Sequence, residues 1–163
     1  MRWDRLFEEL EASSHEVRAD EREALAADLQ DEQWAALSWI DLLGAADVRL
    51  DVSGLGEVGG VESVGDVIVL RDGLGRRTVV VPEAVVAVNG ADGRAAPPPT
   101  SRRTRRQLVR ALRDAELEVR VVRRDGSAVE GRIVAAGADF VQLGVGGRRV
   151  SLPWSSIAAL VER

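Results

Sequence analysis

Two β-rich blocks of this 163-residue chain can be laid on each other, and this internal repeat constrains the fold more than any other feature. Val48-Arg49-Leu50 aligns with Val119-Arg120-Val121, and Gly60 aligns with Gly131, at a shared offset of 71 residues. A helical pattern precedes each block, and each block then shows the alternation and apolar runs of short strands. The sequence therefore predicts a helix followed by about five short strands, present twice.

Further matches extend this alignment along both blocks. They are Asp66–Leu70 with Asp139–Leu143, Arg76-Arg77 with Arg148-Arg149, Pro82 with Pro153, and Val86-Ala87 with Ile157-Ala158. A sheet of five short strands has two free edges, and bending it into a small barrel at glycines removes most of that exposure. We therefore expect an α+β fold, in which N-terminal helices precede two small five-stranded SH3-like barrels, each led by a helix.

Changes in periodicity give the domain boundaries. We expect a helical arm over 1–46, a first barrel over 47–90, a Pro/Gly linker over 91–101, and a basic helix with a second barrel over 102–163. The arm begins with apolar residues at helical spacing, namely Trp3, Leu6, Phe7 and Leu10. Ser13 with Glu16 has the form of a capping box, so the arm is expected to consist of two or three helices.

Charge is distributed very unevenly along the chain. Residues 1–47 carry 13 acids and 4 arginines, a net of −9, and residues 94–124 carry 10 arginines and 3 acids, a net of +7. The predicted basic helix, Arg102 to Asp114, holds the candidate nucleic-acid-binding residues, which are Arg102, Arg103, Arg105, Arg106, Arg110 and Arg113. Arginines along a helix suit phosphates, but no aromatic residue lies among them to stack bases. A solvated helix face, or a partner for the acidic helices, is the alternative interpretation.

The side chains that carry most catalysis are scarce. There is no cysteine, tyrosine or lysine, and His15 is the single histidine. Disulfides and thiolate metal sites are therefore excluded, and most nucleophiles and bases are missing. Gly54–Gly59 spells G-x-G-x-x-G, but a β pattern rather than a helix follows, which favours a loop between strands. We expect no enzyme activity, no cofactor, no metal and no small-molecule substrate.

Other residues that could carry chemistry have structural interpretations. The acidic residues Asp66, Asp72, Asp125 and Asp139 sit where turn chemistry explains them, and the tryptophans Trp3, Trp34, Trp39 and Trp154 fit core or interface packing. The N-terminus turns acidic within a few residues, and no run approaches the ~20 apolar residues of a membrane helix. A cytoplasmic protein without membrane contact is expected.

The second block resembles the Sm-like family, which includes the bacterial Hfq chaperones and the LSm proteins. The resemblance rests on Val119–Val122, Asp125-Gly126, Gly131-Arg132-Ile133, Asp139–Leu143 and Val150–Pro153 with Ile157. It implies an N-terminal helix, a strongly bent five-stranded barrel, RNA binding and ring assembly. Gln142 stands near the place where many family members carry a uracil-reading Asn. The whole chain also resembles a group of actinobacterial proteins that begin with Met-Arg-Trp.

Two functions from different classes follow from these features. The first is a non-enzymatic binding or scaffolding protein whose acidic arm contacts its own chain, a second copy or another protein. The second is an Sm-like RNA- or DNA-binding regulator that contacts phosphates through Arg102 to Arg113.

Overall fold

The N-terminal arm contains a single long helix. A computed structural model describes residues 2–91 and 96–163, with side chains from His15 onward, and divides into the units Met1–Leu37 and Ser38–Arg163. Helix α1 is continuous over Arg2–Ala35, so the prediction of a second helix that starts at Ser13 is wrong. A serine inside a helix costs only about 0.5 kcal/mol relative to alanine, and the surrounding Glu, Ala, Leu and Arg residues favour the helix.

From His15 onward, helix α1 leaves its apolar side chains exposed. Every side chain from His15 to Ala35 is exposed, including those of Val17, Leu25 and Leu29, which are more than half exposed. Within the described part of the chain, no helix combines the length and the apolarity needed to span a membrane.

The second unit is α+β and contains both blocks. The first block has a 3-10 turn (Asp41–Gly44), β1 (Arg49–Val52), β2 (Gly56–Gly59), β3 (Val61–Val64), β4 (Ile68–Arg71), β5 (Arg77–Val80), a 3-10 turn (Pro82–Ala84) and β6 (Val85–Asn89). The second block has α2 (Arg105–Asp114), β7 (Glu118–Arg123), β8 (Ala128–Ala136), β9 (Phe140–Val145), β10 (Arg148–Pro153), a 3-10 turn (Trp154–Ser156) and β11 (Ile157–Glu162).

The strands form two antiparallel sheets rather than two closed barrels. One sheet has the order β2-β1-β6, and the other has the order β10-β9-β8-β7-β11-β5-β4-β3. Among the described residues neither sheet closes on itself, so the pairing differs from the closed five-stranded barrels that the sequence predicts. The reason is that β11 pairs with β7 on one side and with β5 of the first block on the other. Both edges of β11 are thereby satisfied within the chain.

The two blocks share their strand order, apart from the division of one strand into β2 and β3, although a 3-10 turn leads the first block where α2 leads the second. β6 lies opposite β1, and β11 lies opposite β7, with a register shift at the same place in each pair. The 3-10 turns that precede β6 and β11 begin at Pro82 and Trp154. The turns therefore align Val81 with Pro153, and Val86 with Ala158. The sequence alignment matched Pro82 with Pro153, which is one residue out of register.

Glycine permits a close backbone approach at the same point of each block. An alanine Cβ at Gly60 would lie 2.1 Å from the carbonyl oxygen of Arg71, and one at Gly131 would lie 2.3 Å from that of Gly144. Gly60 also has φ of +82° and separates β2 from β3, whereas β8 runs through Gly131 without interruption. The first block therefore divides into two sheets where the second keeps one bent strand.

One hydrophobic core serves both blocks. Alternation buries Leu50 and Val52 of β1 and Val119 and Val121 of β7, as the sequence pattern predicts. These side chains belong to a single cluster that also includes Leu160 of β11.

Candidate functional site

Helix α2 is fixed at its start by local chemistry. The Thr104 side chain accepts a hydrogen bond from the Gln107 backbone N–H, and the Gln107 side chain accepts one from the Thr104 N–H, which completes a capping box. Val109 is fully buried, and Leu108 and Leu112 pack against the core. This packing sets which arginines of the helix face outward.

Arg105 is held inside the protein by the first block. Its guanidinium contacts both carboxylate oxygens of Glu83 at 2.7 Å, and its Nε donates to the backbone oxygen of Asp66 at 3.0 Å. Its backbone N–H donates to the Asp66 carboxylate at 2.7 Å, and the guanidinium lies 5.7 Å from the ring centre of Trp154. Arg105 therefore joins α2 to the first block, a role that the sequence pattern did not indicate.

The other predicted arginines divide into two groups. Arg113 pairs with the neighbouring Asp114 at 2.7 Å. Four are exposed and form no ion pair with any carboxylate of the described residues: Arg102, Arg103, Arg106 and Arg110. The spacing of Arg106, Arg110 and Arg113 puts them on one flank of α2. The structure thus brings most of the predicted residues together and withdraws Arg105 from that surface.

A second surface consists of unpaired strand edges. Where the blocks join, Ala159, Leu160 and Val161 of β11 lie opposite Val80, Val79 and Thr78 of β5. The Val81 N–H extends this joint by donating to the Ala158 oxygen at 3.0 Å. In the alignment of the two blocks, β10 is the counterpart of β5, and β6 is the counterpart of β11. Each of these two strands, β10 and β6, has only one neighbouring strand among the described residues.

Val86 marks the unpaired edge of β6. Its side chain is 69 % exposed, whereas its counterpart Ala158 is fully buried at the joint between the blocks. Sequence reasoning missed Val86 because the alignment was one residue out of register there. In the correct register Val86 aligns with Ala158, and this difference between the two blocks would have singled out Val86 on β6.

A carboxylate between two arginines lies on β3. Glu62 contacts Arg71 at 2.9 Å and Arg77 at 3.1 Å, and these hydrogen bonds, that of Arg77 first, lower the pKa of Glu62 to about 2. Hydrogen bonds within turns also lower the pKa of Asp72, through the Arg76 backbone N–H, and of Asp125, through Ser127. The turn role that the sequence predicts for these two aspartates is confirmed by their contacts.

The remaining residues of interest lie apart from these surfaces. His15 is exposed and lies within α1 rather than at a helix start. No helix follows the glycine pattern, but Gly56–Gly59 form β2 itself, so the prediction of a loop between strands is wrong for most of these residues. The Gln142 side chain donates to the Ser151 hydroxyl at 3.1 Å across the β9–β10 pair. Trp154 is buried, whereas Trp34 and Trp39 are exposed and Trp3 lies outside the described side chains.

Comparisons with known proteins give no further constraint. A scan against protein-family models, a search of curated proteins and a search of solved structures each returned no match. Any function proposed for this chain therefore rests on its own residues and contacts.

Proposed function

We propose that this protein is a non-enzymatic scaffold that assembles head to tail, each block being one Sm-like unit of the assembly. The observation that carries the proposal is the exposure of Val86 on β6, whereas its counterpart Ala158 is fully buried in β11, the strand that pairs with β5. In this assembly the edge of β10 in one copy pairs with the edge of β6 in the next. The protein's own β5–β11 joint is the template for that contact.

The chemistry of the β6 edge supports this assignment. Exposed sheet edges are normally protected by charge, proline or a covering segment, because unpaired N–H and C=O groups recruit other strands. The β6 sequence, Val-Val-Ala-Val-Asn, contains no charge and no proline. An uncharged apolar edge is suited to accept a strand by β-augmentation.

The β10 edge makes the contact between copies weaker than the joint within the chain. Pro153 occupies the position of Val81 and has no N–H, so the hydrogen bond that Val81 donates to Ala158 has no equivalent. Ser151 takes the place of the buried Val79. We therefore expect assembly to be reversible and to depend on protein concentration.

The acidic arm gives the scaffold a second surface. The exposed part of α1 carries Val17, Leu25 and Leu29 among acidic residues, and residues 1–47 have a net charge of −9. Such a helix is suited to a basic partner with an apolar stripe.

Sedimentation velocity over a range of protein concentrations tests the assembly. We expect the native chain to form larger species as concentration rises, and Val86→Lys to raise the dissociation constant about tenfold or more, because lysine protects an open edge. Leu74→Lys is the matched control, since Leu74 is 81 % exposed in the turn between β4 and β5. A native chain that stays monomeric at every concentration would contradict the proposal.

A mixing experiment separates head-to-tail assembly from a symmetric β6–β6 dimer. The two-residue turn Gly146-Gly147 makes Val145 and Arg148 the hydrogen-bonded pair that closes the hairpin. Because hydrogen-bonded pairs alternate along antiparallel strands, the N–H and C=O groups of Ser151, three residues further on, point away from β9. Ser151→Pro therefore damages the β10 edge and leaves β6 intact. Mixing it with Val86→Lys should give a 1:1 dimer that neither variant forms alone. Absence of that dimer would contradict the head-to-tail arrangement.

A second candidate function is nucleic-acid binding through the exposed arginines. The observation that favours it is that Arg102, Arg103, Arg106 and Arg110 meet no carboxylate of the described residues. Four phosphate contacts predict that log K for a generic duplex falls with log salt at a slope of about −3.6. Fluorescence anisotropy should show a shallower slope for the Arg106→Gln, Arg110→Gln double variant. Arg148→Gln, which alters an exposed arginine of β10, is the control, and an equal change in it would contradict this role.

A further inference from the structure

An apolar cavity of about 170 Å³ lies beneath α2, at the joint between the two blocks. Its wall includes Val69 and Val79 from the first block, Leu160 from β11, and Leu108 and Leu112 from α2. Ligand sites favour such junctions because the walls come from separately packed elements. The cavity is independent of the strand edges on which the proposed assembly depends.

A more polar groove adjoins this cavity. A neighbouring space of about 660 Å³ shares Val69, Arg77, Arg103 and Leu108 with the cavity, and Arg102 and Gln107 also line it. An apolar cavity thus adjoins a groove that carries arginines and Glu62.

Arginines outnumber carboxylates in the lining of the cavity and groove, with Arg77, Arg102 and Arg103 against Glu62 and Glu162. Arg77 is neutralised by Glu62, whose carboxylate it contacts through both Nε and Nη2 at 3.1 Å, and the Arg77 backbone N–H donates to Glu162. Arg102 and Arg103 pair with no carboxylate in the described ranges. An anion in the groove would therefore meet guanidinium groups that the protein has not already engaged.

We propose that this groove binds a small amphiphilic anion, a carboxylate on an apolar tail such as a medium-chain fatty acid. The carboxylate lies against Arg103, with Arg102 beside it, and the tail packs on Leu108, Leu112 and Leu160. A cavity of about 150 Å³ accommodates benzene, so the space beneath α2 suits a tail of about six to eight carbon atoms. Three arginines line the cavity and groove against the carboxylates of Glu62 and Glu162, which favours an anion over a cation, and an inorganic anion would leave the apolar wall uncovered.

Titration with octanoate, below its micelle-forming concentration, tests the site by calorimetry and by backbone amide NMR shifts. We expect saturable binding with shifts at α2 and β11. Acetate, which has no tail, and octylammonium, which has the opposite charge, should not saturate. Arg103→Gln should weaken octanoate binding about tenfold, because it removes a charge-assisted contact. Arg110→Gln is the matched control on the same helix, since Arg110 is exposed and does not line the cavity.

A substitution that fills the cavity tests the proposal independently. Ala111 lines the cavity and is exposed, so Ala111→Phe should keep the fold, as checked by circular dichroism, and abolish octanoate binding. Equal binding of octanoate and octylammonium, or equal weakening by Arg103→Gln and Arg110→Gln, would overturn the proposal. Octanoate binding that does not saturate would also overturn the proposal. Sedimentation of the same variants keeps this result separate from the assembly, because none of the substitutions alters β6 or β10.

Discussion

Gly60→Ala is expected to lower the free energy of unfolding by about 3 kcal/mol or more, as measured by urea denaturation. Two effects combine at this position. The new Cβ would lie 2.1 Å from the Arg71 carbonyl oxygen, and the backbone has φ of +82°, which L residues rarely adopt. The new Cβ is fixed directly to the backbone of residue 60, and the atom that it meets is a backbone oxygen at the end of β4. The two chain segments would therefore have to move apart to relieve the clash.

Two other glycines separate these effects. Gly56 has φ of +84° and nothing within 4 Å of an added Cβ, so Gly56→Ala should cost only the backbone strain, about 1 kcal/mol. Gly131 lacks a positive φ, but its Cβ would lie 2.3 Å from the Gly144 oxygen, so Gly131→Ala reports the clash alone. A cost at Gly60 no larger than at Gly56 would show that the close approach does not determine the residue there.

Leu160→Ala is expected to destabilise both blocks together by about 2–5 kcal/mol, the usual cost of truncating a buried leucine. Leu160 is 2 % exposed and lies in β11, which pairs with β7 of its own block and with β5 of the other. Because one sheet and one core cross the blocks, residues 38–163 should unfold in a single transition. Denaturation followed by hydrogen exchange should show equal loss of protection in β4 and β9.

The control for this variant is Leu74→Ala, which truncates a side chain that is 81 % exposed in the turn between β4 and β5. It should change the stability by less than about 0.5 kcal/mol. Two separate transitions in the native chain, or lost protection in β9 alone after Leu160→Ala, would contradict a shared folding unit.

The sequence predicted the local structure of the second unit well. The alternation at Leu50 and Val52 and its counterpart at Val119 and Val121 indicated half-buried strands, and these side chains are buried. Side-chain alternation is a property of the strand itself, so it can be read without knowing the partner strand. The alignment of Gly60 with Gly131 also marked two equivalent close approaches.

Helix breaks and the exact register were harder to predict. Ser13 and Glu16 match a capping box by spacing, but spacing does not reveal whether the preceding residues leave the helical conformation, and α1 continues through them. Pro82 and Pro153 share a residue type, yet the 3-10 turns place Val81 opposite Pro153. A one-residue error there concealed the difference between Val86 and Ala158.

The candidate surfaces depend on contacts between residues far apart in the chain. The sequence grouped Arg105 with its neighbours because all are arginines on one helix, but Glu83 and Asp66 hold Arg105 at the first block. Only the three-dimensional arrangement separates an engaged guanidinium from a free one, since ion pairing depends on distance in space.

By itself the sequence determined the α+β class, the paired blocks, the glycines at their bends and the uneven distribution of charge. Each follows from residue type and short-range spacing. The tertiary structure alone decided that β11 joins strands of both blocks in one eight-stranded sheet, that the outer edges of β6 and β10 have no neighbour among the described residues, and that a cavity forms beneath α2. Strand partners and cavities depend on long-range packing. The two blocks aligned on the sequence are therefore joined through one eight-stranded sheet, with β1, β2 and β6 in a second sheet, rather than folded as two closed barrels.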